Sequence, residues 1–150
     1  MLHVFVVIGW DWRYFIAYKV PNNVGKMTAK VYTRDILPTL QEELISRKLT
    51  LCQDADLAHR ARQTISWAEK HGIDLLTLPG SSPDLSIAES LAHPVKQLFH
   101  AQRCTEQAAF KRFKRIWAEQ IDQSKVQKYY ESYTKRLHDI RRVGGQMSEY

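Results

Sequence analysis

Two short apolar segments, each followed by a helix-like pattern, constrain the fold of this chain more than any other feature. The first, LTLCQ (49–53), ends at Asp54, and the second is IDLLTLP (73–79). An alternation of strand, helix, strand and helix is typical of an α/β sheet with parallel strands. Such sheets keep their sites at the carboxyl ends of the strands, where Asp54 lies. The intervening helix is predicted to end near Gly72, with its apolar stripe at Ala58, Ala61, Ile65 and Ala68.

A β-hairpin is predicted ahead of these segments. LHVFVVI (2–8) and YFIAYKV (14–20) are rich in β-branched and aromatic residues, and the turn-like GWDW separates them. After the hairpin, Thr28 is placed to cap a helix, within which Pro38 is expected to cause a kink. The apolar stripe of that helix recurs every four residues, at Tyr32, Ile36, Leu40 and Leu44.

The rest of the chain is predicted to be helical. One helix begins near Ser86, and Pro94 falls within its body. The next carries a core-facing stripe at Phe110, Phe113, Trp117 and Ile121. The last is expected to start near Ser124 and stop at Gly144-Gly145, with one face formed by Val126, Tyr130, Tyr133, Leu137 and Ile140. A chain of 150 residues is expected to form one domain.

Composition excludes several classes of protein. No apolar run approaches the roughly 18 residues that a membrane helix needs, so no bilayer-spanning segment is predicted. The opening MLHVFVVIGW lacks the basic region and cleavage site of a secretory signal. Cys52 and Cys104 are too few and too far apart for a zinc knuckle or a disulfide framework, which suits a reducing compartment.

The net charge of +6 is concentrated in the last sixty residues. Residues 1–90 carry ten Lys/Arg and ten Asp/Glu, whereas residues 91–150 carry twelve and six. A polyanionic partner would meet that end, and a solvated helical face is the alternative interpretation. Within it, FKRFKR interleaves aromatic and basic residues that could lie along phosphates. The candidate nucleic-acid-binding residues are therefore Lys111, Arg112, Lys114 and Arg115.

Two carboxylates are the candidate site residues, although each also has a structural interpretation. Glu89 fits a capping box with Ser86, in which each side chain bonds the backbone amide of the other residue. Asp54 could be a strand-end or helix-cap aspartate. The tripeptide DAD (54–56) also matches the weak Asp-x-Asp signature of metal-dependent sugar transferases.

The context of these carboxylates resembles the catalytic half of mariner/pogo-like transposases, which are DDE endonucleases. QDADLAH and SSPDLSIAESL resemble the two blocks of that family, and 34 residues separate Asp54 from Glu89 (89 − 54 − 1 = 34), as in one large branch. GWDWRYF, MTAKVYTRDILPTL and GGQMSEY look like stretches of fungal members, so the resemblance covers essentially the whole chain. The positions that agree in register are Gln53, Asp54, His59, Ser82, Pro83, Asp84, Leu85, Glu89 and Leu91.

The resemblance implies an α/β, ribonuclease H-like (DDE integrase/transposase) fold over residues 1–150, with carboxy-terminal helices. It also implies DNA as the partner, a nuclear location, and Mg²⁺ or Mn²⁺ as the cofactor, since hard cations prefer carboxylate oxygens. Asp54 would be the second metal ligand and Glu89 the third. His59 would be a near-site orienter, or simply a packed helical histidine.

Departures from the family pattern indicate a partial, eroded copy. The family's first aspartate ends a central strand upstream of LHVFVVI, so the fold is expected to be truncated at its amino terminus, with two exposed sheet edges that favour a homo-oligomer. Ala55 and Leu57 replace the expected Asn and Pro, and Pro94 interrupts the helix that carries Glu89. Two hypotheses follow: a transposase fragment without strand cleavage, or a non-catalytic DNA-binding module. Neither implies a small-molecule substrate.

Overall fold

Two β-forming segments open the part of the chain that the computed structural model describes, which comprises residues 2–21, 25–80 and 85–144. They form β1 (His3–Ile8) and β2 (Arg13–Tyr18), which hydrogen-bond to each other. The N–H of Gly9 donates to the carbonyl of Trp12 at 2.7 Å and closes the turn between them. The predicted hairpin is confirmed.

The remaining elements alternate as the sequence predicts in the middle of the chain and are helical towards its end. The strands are β3 (Leu51–Gln53) and β4 (Leu75–Thr77). A π-helix at Tyr32–Ile36 joins the first two helices. The helices are α1 (Ala29–Val31), α2 (Leu37–Ser46), α3 (Leu57–Arg60), α4 (Arg62–Lys70), α5 (Ile87–His100), α6 (Glu106–Gln120), α7 (Gln123–Glu131) and α8 (Tyr133–Arg142).

These elements belong to two compact units. The first comprises Met1–Ala17 and Pro83–Tyr150, and the second comprises Tyr18–Ser82. The four described strands form two separate two-stranded sheets, β1 with β2 and β3 with β4. None of the helices in the described ranges combines the length and apolar character that a membrane span requires.

In the second unit, β3 and β4 run parallel, which confirms the predicted sheet type. Leu51 pairs with Leu75, and Gln53 pairs with Thr77. The apolar stripe predicted for the helical segment before β3, formed by Tyr32, Ile36, Leu40 and Leu44, is fully buried. It supplies much of the core of this unit. The capping role of Thr28 is also confirmed, since its hydroxyl accepts a bond from the N–H of Val31 at 3.3 Å.

The π-helix that precedes Pro38 accommodates this proline. A proline has no N–H to donate and its ring crowds the carbonyl four residues earlier, here that of Arg34. The N–H of Leu37 reaches the carbonyl of Tyr32, five residues back, and Pro38 then falls in the first turn of α2. The extra residue accommodates the ring and leaves Tyr32 buried.

The predicted single helix after Asp54 is wrong, because it is two helices. Ala61 has ψ = 140°, an extended conformation that ends α3 and restarts the chain as α4. The restart changes which residues face inward, so Thr64 is buried while Ile65 is 44% exposed. Gly72, with φ = 68°, follows the end of α4 as predicted.

In the first unit, α5 packs against β1, α6 and α7 around one apolar cluster. Phe113, Trp117 and Ile121 are buried in it as predicted, but Phe110 is 45% exposed because Ala109 takes the inward position. The buried members of the cluster are Ile87, Leu91, Val95, Phe113, Ile116, Trp117, Ile121 and Val126.

The prediction of one continuous last helix is also wrong. A turn at Ser132 divides it into α7 and α8, and Leu137 on α8 is 41% exposed. Arg136 is buried instead, with its guanidinium 5.3 Å from the centre of the Tyr129 ring. The predicted stop agrees with the end of α8 at Arg142 and φ = 66° at Gly144, whereas Gly145 lies outside the described residues.

Candidate functional site

Asp54 follows the last residue of β3, so its carboxylate lies at the carboxyl end of a parallel strand, as predicted. Its side chain is 66% exposed. One oxygen, Oδ1, accepts bonds from the backbone N–H of Asp56 at 3.2 Å and from Nδ1 of His59 at 2.6 Å. The carboxylate is therefore accessible and has one oxygen fixed by the chain.

His59 reaches Asp54 because α3 starts immediately after the strand. Asp56 caps α3 by accepting a bond from the N–H of Ala58 at 2.8 Å. This start directs the His59 ring back towards β3, where it is buried and lies 4.4 Å from the Tyr32 ring, centroid to centroid. His59 is packed as one of its two interpretations requires, and its bond to Asp54 is compatible with the orienting role, which stays a prediction.

A network of buried polar side chains supports the pair formed by Asp54 and His59. The Tyr32 hydroxyl donates to Oε1 of Gln53 at 2.8 Å. The amide nitrogen of Gln53 donates to the Thr77 hydroxyl at 3.3 Å and to the carbonyl of His59 at 3.4 Å. Burial, together with the charge of Asp54, raises the pKa of Tyr32 above its ordinary value. The hydroxyl therefore remains a donor at neutral pH.

Sequence reasoning gave Tyr32 only a core role and did not single out Thr77. Tyr32 continues an apolar stripe, and its phenol is the one polar group on that stripe. Gln53 is the sequence signal that could have indicated the polar role of Tyr32. It is a polar residue at the end of an apolar strand, and a buried amide requires hydrogen-bond partners. Two of those partners are Tyr32 and Thr77.

Glu89 lies in the first turn of α5, and its side chain is exposed. The Ser86 hydroxyl accepts a bond from the N–H of Glu89 at 3.2 Å, which is half of the predicted capping box. The amino end of a helix favours a negative charge at this position. Glu89 belongs to the first unit and Asp54 to the second, so their convergence on one pocket stays a prediction.

The whole chain superimposes on one group of solved structures. The catalytic domain of Mos1 transposase, solved with raltegravir and Mn, matches with a TM-score of 0.80 and 17% identity over 99% of this chain and 78% of that one. A crystal structure of the catalytic domain of Mos1 mariner transposase gives a TM-score of 0.77 at 17% identity, over 99% of this chain and 76% of that one. The fold is that of a mariner transposase catalytic domain. It confirms the ribonuclease H-like class expected from the sequence.

The same fold match extends to a further Mos1 structure. The Mos1 strand transfer complex matches with a TM-score of 0.75 and 19% identity, over 99% of this chain and 44% of that one. No family model and no curated protein matches the sequence. The likeness is therefore one of fold, at low identity.

Carboxylate oxygens of the kind that Mg²⁺ and Mn²⁺ prefer are present on this mariner-type fold at Asp54 and Glu89. Within residues 2–21, 25–80 and 85–144, no three His, Cys, Asp or Glu side chains cluster as a metal site. Ser82, Pro83 and Asp84 of the second family-like block lie outside the described residues.

The four basic candidates on α6 differ in their surroundings. Lys111, Lys114 and Arg115 are exposed, whereas Arg112 is half-buried. Arg112 donates to Oε1 of Gln102 and to the carbonyl of Leu98, both at 2.7 Å, and so connects α6 to the end of α5. Three of the four are therefore open to a partner, and the fourth also has a structural role.

Proposed function

We propose that this chain is a portion of the catalytic region of a mariner-like DDE transposase, an enzyme class that cuts and joins DNA strands. The observation that carries the proposal is the position of Asp54, directly after a parallel strand in a chain with this fold. The carboxylate has one oxygen held by His59 and is otherwise accessible. The resemblance of its sequence context to the DDE family supports the same assignment.

Asp54 and Glu89 are the proposed ligands of a divalent cation, Mg²⁺ or Mn²⁺. Mos1 structures were determined with Mn and with Mg, and both ions prefer carboxylate oxygens. When bound, such ions polarise phosphate oxygens and activate water. In this chain, His59 and the N–H of Asp56 orient one oxygen of Asp54, and the first turn of α5 favours the charge of Glu89.

We further propose that this chain by itself does not cleave DNA. The resemblance supplies two of the three carboxylates of the family, and none of the other acids ahead of Asp54 directly follows a described strand. Asp11 lies between β1 and β2, while Asp35, Glu42 and Glu43 lie on the π-helix and α2. A site with two carboxylates is expected to hold a divalent ion weakly.

Metal binding provides the first test. Titration of the purified chain with Mn²⁺, followed by the electron paramagnetic resonance signal of the free ion, is expected to show weak binding that Asp54→Asn and Glu89→Gln each reduce. Asp74→Asn is the matched control, because Asp74 precedes β4 at the opposite end of the same sheet. Equal effects of all three substitutions would show that binding is non-specific.

Strand cleavage provides the second test. The chain is expected to leave supercoiled plasmid and linear duplex intact in Mg²⁺ or Mn²⁺. Robust cutting that Asp54→Ala abolishes would contradict the proposed inactivity while supporting the assignment of the site.

A non-catalytic DNA-binding module is the second candidate function, favoured by the exposed basic residues of α6. Mos1 has been solved in a paired end complex and a strand transfer complex, so DNA is the proposed partner here. Phosphate contacts give affinity that falls steeply with salt. Neutralising Lys111, Arg112, Lys114 and Arg115 together is expected to flatten that dependence, and an unchanged slope would exclude them.

Two further expectations remain proposals. β3 hydrogen-bonds to β4 along one edge, and within the described strands no other strand pairs with it, which favours self-association through a sheet edge. Concentration-dependent sedimentation is expected to show a homo-oligomer, and a monomer at all concentrations would exclude one. Kinship with transposases suggests a nuclear location, which a fluorescent fusion would test.

A further inference from the structure

One face of α6, together with Cys104 just ahead of that helix, lines an open cleft of about 480 Å³ in the first unit. Its lining combines two small residues with three cationic ones, namely Cys104, Ala108, Lys111, Arg112 and Arg115. The four lining residues on α6, Ala108, Lys111, Arg112 and Arg115, are related by spacings of three and four, so they share one face. The core-facing residues Phe113 and Trp117 lie on another side of the same helix.

Arg112 is held in place at this cleft by neutral groups. Its guanidinium donates to a side-chain amide oxygen of Gln102 and to the backbone carbonyl of Leu98. Its Nε is buried and has no hydrogen-bond acceptor within the described residues. Because neither acceptor carries a charge, the positive charge of Arg112 is fixed in position and remains uncompensated by these contacts.

Lys111 and Arg115 flank Arg112 along the same face. The Nε of Arg115 lies 3.8 Å from a carboxylate oxygen of Glu119, and their side chains are 68% and 59% exposed. An exposed ion pair at that distance is weak, so Arg115 can exchange Glu119 for a stronger acceptor. Cys104 and Ala108 contribute small side chains to the same lining.

We propose that this cleft seats a phosphate group of a DNA strand, with Lys111 and Arg115 donating to its oxygens and Arg112 supplying fixed positive charge. The inference rests on the proposed DNA partner and deepens it. The proposal separates the basic residues of α6 into those that line the cleft and Lys114, which does not. A uniform basic surface would use Lys114 as much as Lys111, whereas a seated phosphate would favour the cleft residues.

Charge-neutralising variants separate these cases. Binding of a fluorescent duplex of unrelated sequence is measured by anisotropy over a range of salt concentrations for Lys111→Gln, Arg115→Gln and Lys114→Gln. Each cleft variant is expected to lower the slope of log affinity against log salt by about 1, since one phosphate contact is lost. Lys114→Gln is expected to lower it distinctly less. Equal changes in all three variants would overturn the cleft.

Cys104 provides an independent readout, since its exposed thiol lies in the cleft lining. In the Cys52→Ser chain, saturating duplex is expected to slow alkylation of Cys104 by N-ethylmaleimide several-fold, and Lys111→Gln with Arg115→Gln is expected to remove that protection. Full reactivity of Cys104 in the DNA-bound chain would overturn the inference while leaving the DNA partner intact. Failure of the wild-type chain to bind any duplex would overturn the DNA partner itself and the cleft with it.

Discussion

Nδ1 of His59 lies 2.6 Å from Oδ1 of Asp54, so a buried imidazole fixes one oxygen of an exposed carboxylate. The ring packs against Tyr32, whose hydroxyl donates to Gln53. All three supporting side chains are buried. The candidate metal ligand therefore depends for its orientation on the core of the second unit.

Removal of the His59 ring is expected to destabilise the chain. His59→Ala loses the hydrogen bond to Asp54 and the contact with Tyr32, and the expected cost is about 1–3 kcal/mol in the free energy of unfolding. His138→Ala is the matched control, because His138 is 78% exposed on α8, and it should change stability by about 0.5 kcal/mol or less. Chemical denaturation of the two variants measures both values. Equal effects would show that His59 contributes nothing specific.

Alkaline pH is expected to expose the contribution of the Tyr32 hydroxyl. Burial and the charge of Asp54 raise the pKa of Tyr32 in the folded chain above the ordinary value of 10.0. The folded state thus holds the phenolic proton more tightly than the unfolded state does. This difference stabilises the folded chain below about pH 10, and the stabilisation is lost as pH rises further. Wild type is therefore expected to lose stability above about pH 10 more steeply than Tyr32→Phe.

The same variant has a cost at neutral pH. Tyr32→Phe removes the donor to Oε1 of Gln53 and leaves a buried acceptor without that bond, at an expected cost of about 1–3 kcal/mol. Urea unfolding of wild type and variant at several pH values checks both statements. Parallel stability curves across the alkaline range would contradict the assigned role of the hydroxyl.

The parts of the fold that the sequence predicted are those in which local patterns agree with the packing. The stripe from Tyr32 to Leu44 is buried at every predicted position, and Thr28 and Ser86 cap the helices assigned to them. Asp54 stands at a strand end because an apolar run stops there. The resemblance supplied the fold class, which periodicity alone would have left as a generic α/β sheet.

The failures occur where a single residue interrupts a helix. An extended Ala61 and the turn at Ser132 each restart a helix, and no periodicity of apolar residues marks either break. After Ser132 the inward position falls on Arg136, which donates from Nε to the Ser132 hydroxyl at 3.1 Å and from Nη1 to the Ser90 hydroxyl at 3.4 Å. One of these partners, Ser90, is 46 residues away in sequence, so the burial of Arg136 could not be predicted from local periodicity.

The turn of the hairpin is expected to be intolerant of any side chain at Gly9. A Cβ there would meet the indole ring of Trp12, which lies over the glycine. Gly9→Ala must displace that ring, at an expected cost of about 1–3 kcal/mol. Gly80→Ala is the matched control, since among the described residues that do not adjoin Gly80 no atom lies within 4 Å of its added carbon, and it should be neutral or stabilising by up to about 1 kcal/mol. Thermal unfolding distinguishes them, and similar midpoints would contradict the close packing of Trp12 on Gly9.

Pro94 is expected to cost stability that Pro38 does not. Pro94 lies inside α5 and deprives the carbonyl of Ser90 of its helical donor, whereas Pro38 lies in the first turn of α2, behind a π-helix. Pro94→Ala should therefore raise the free energy of unfolding by about 2 kcal/mol. The substitution removes a helix penalty of roughly 3 kcal/mol, and about 1 kcal/mol of that gain is lost because the unfolded chain becomes more flexible. Pro38→Ala should change it by about 1 kcal/mol or less, because proline is tolerated at a helix start. Denaturant unfolding of the two variants gives the comparison. A Pro94→Ala chain no more stable than Pro38→Ala would mean that α5, which carries Glu89, accommodates its proline without strain.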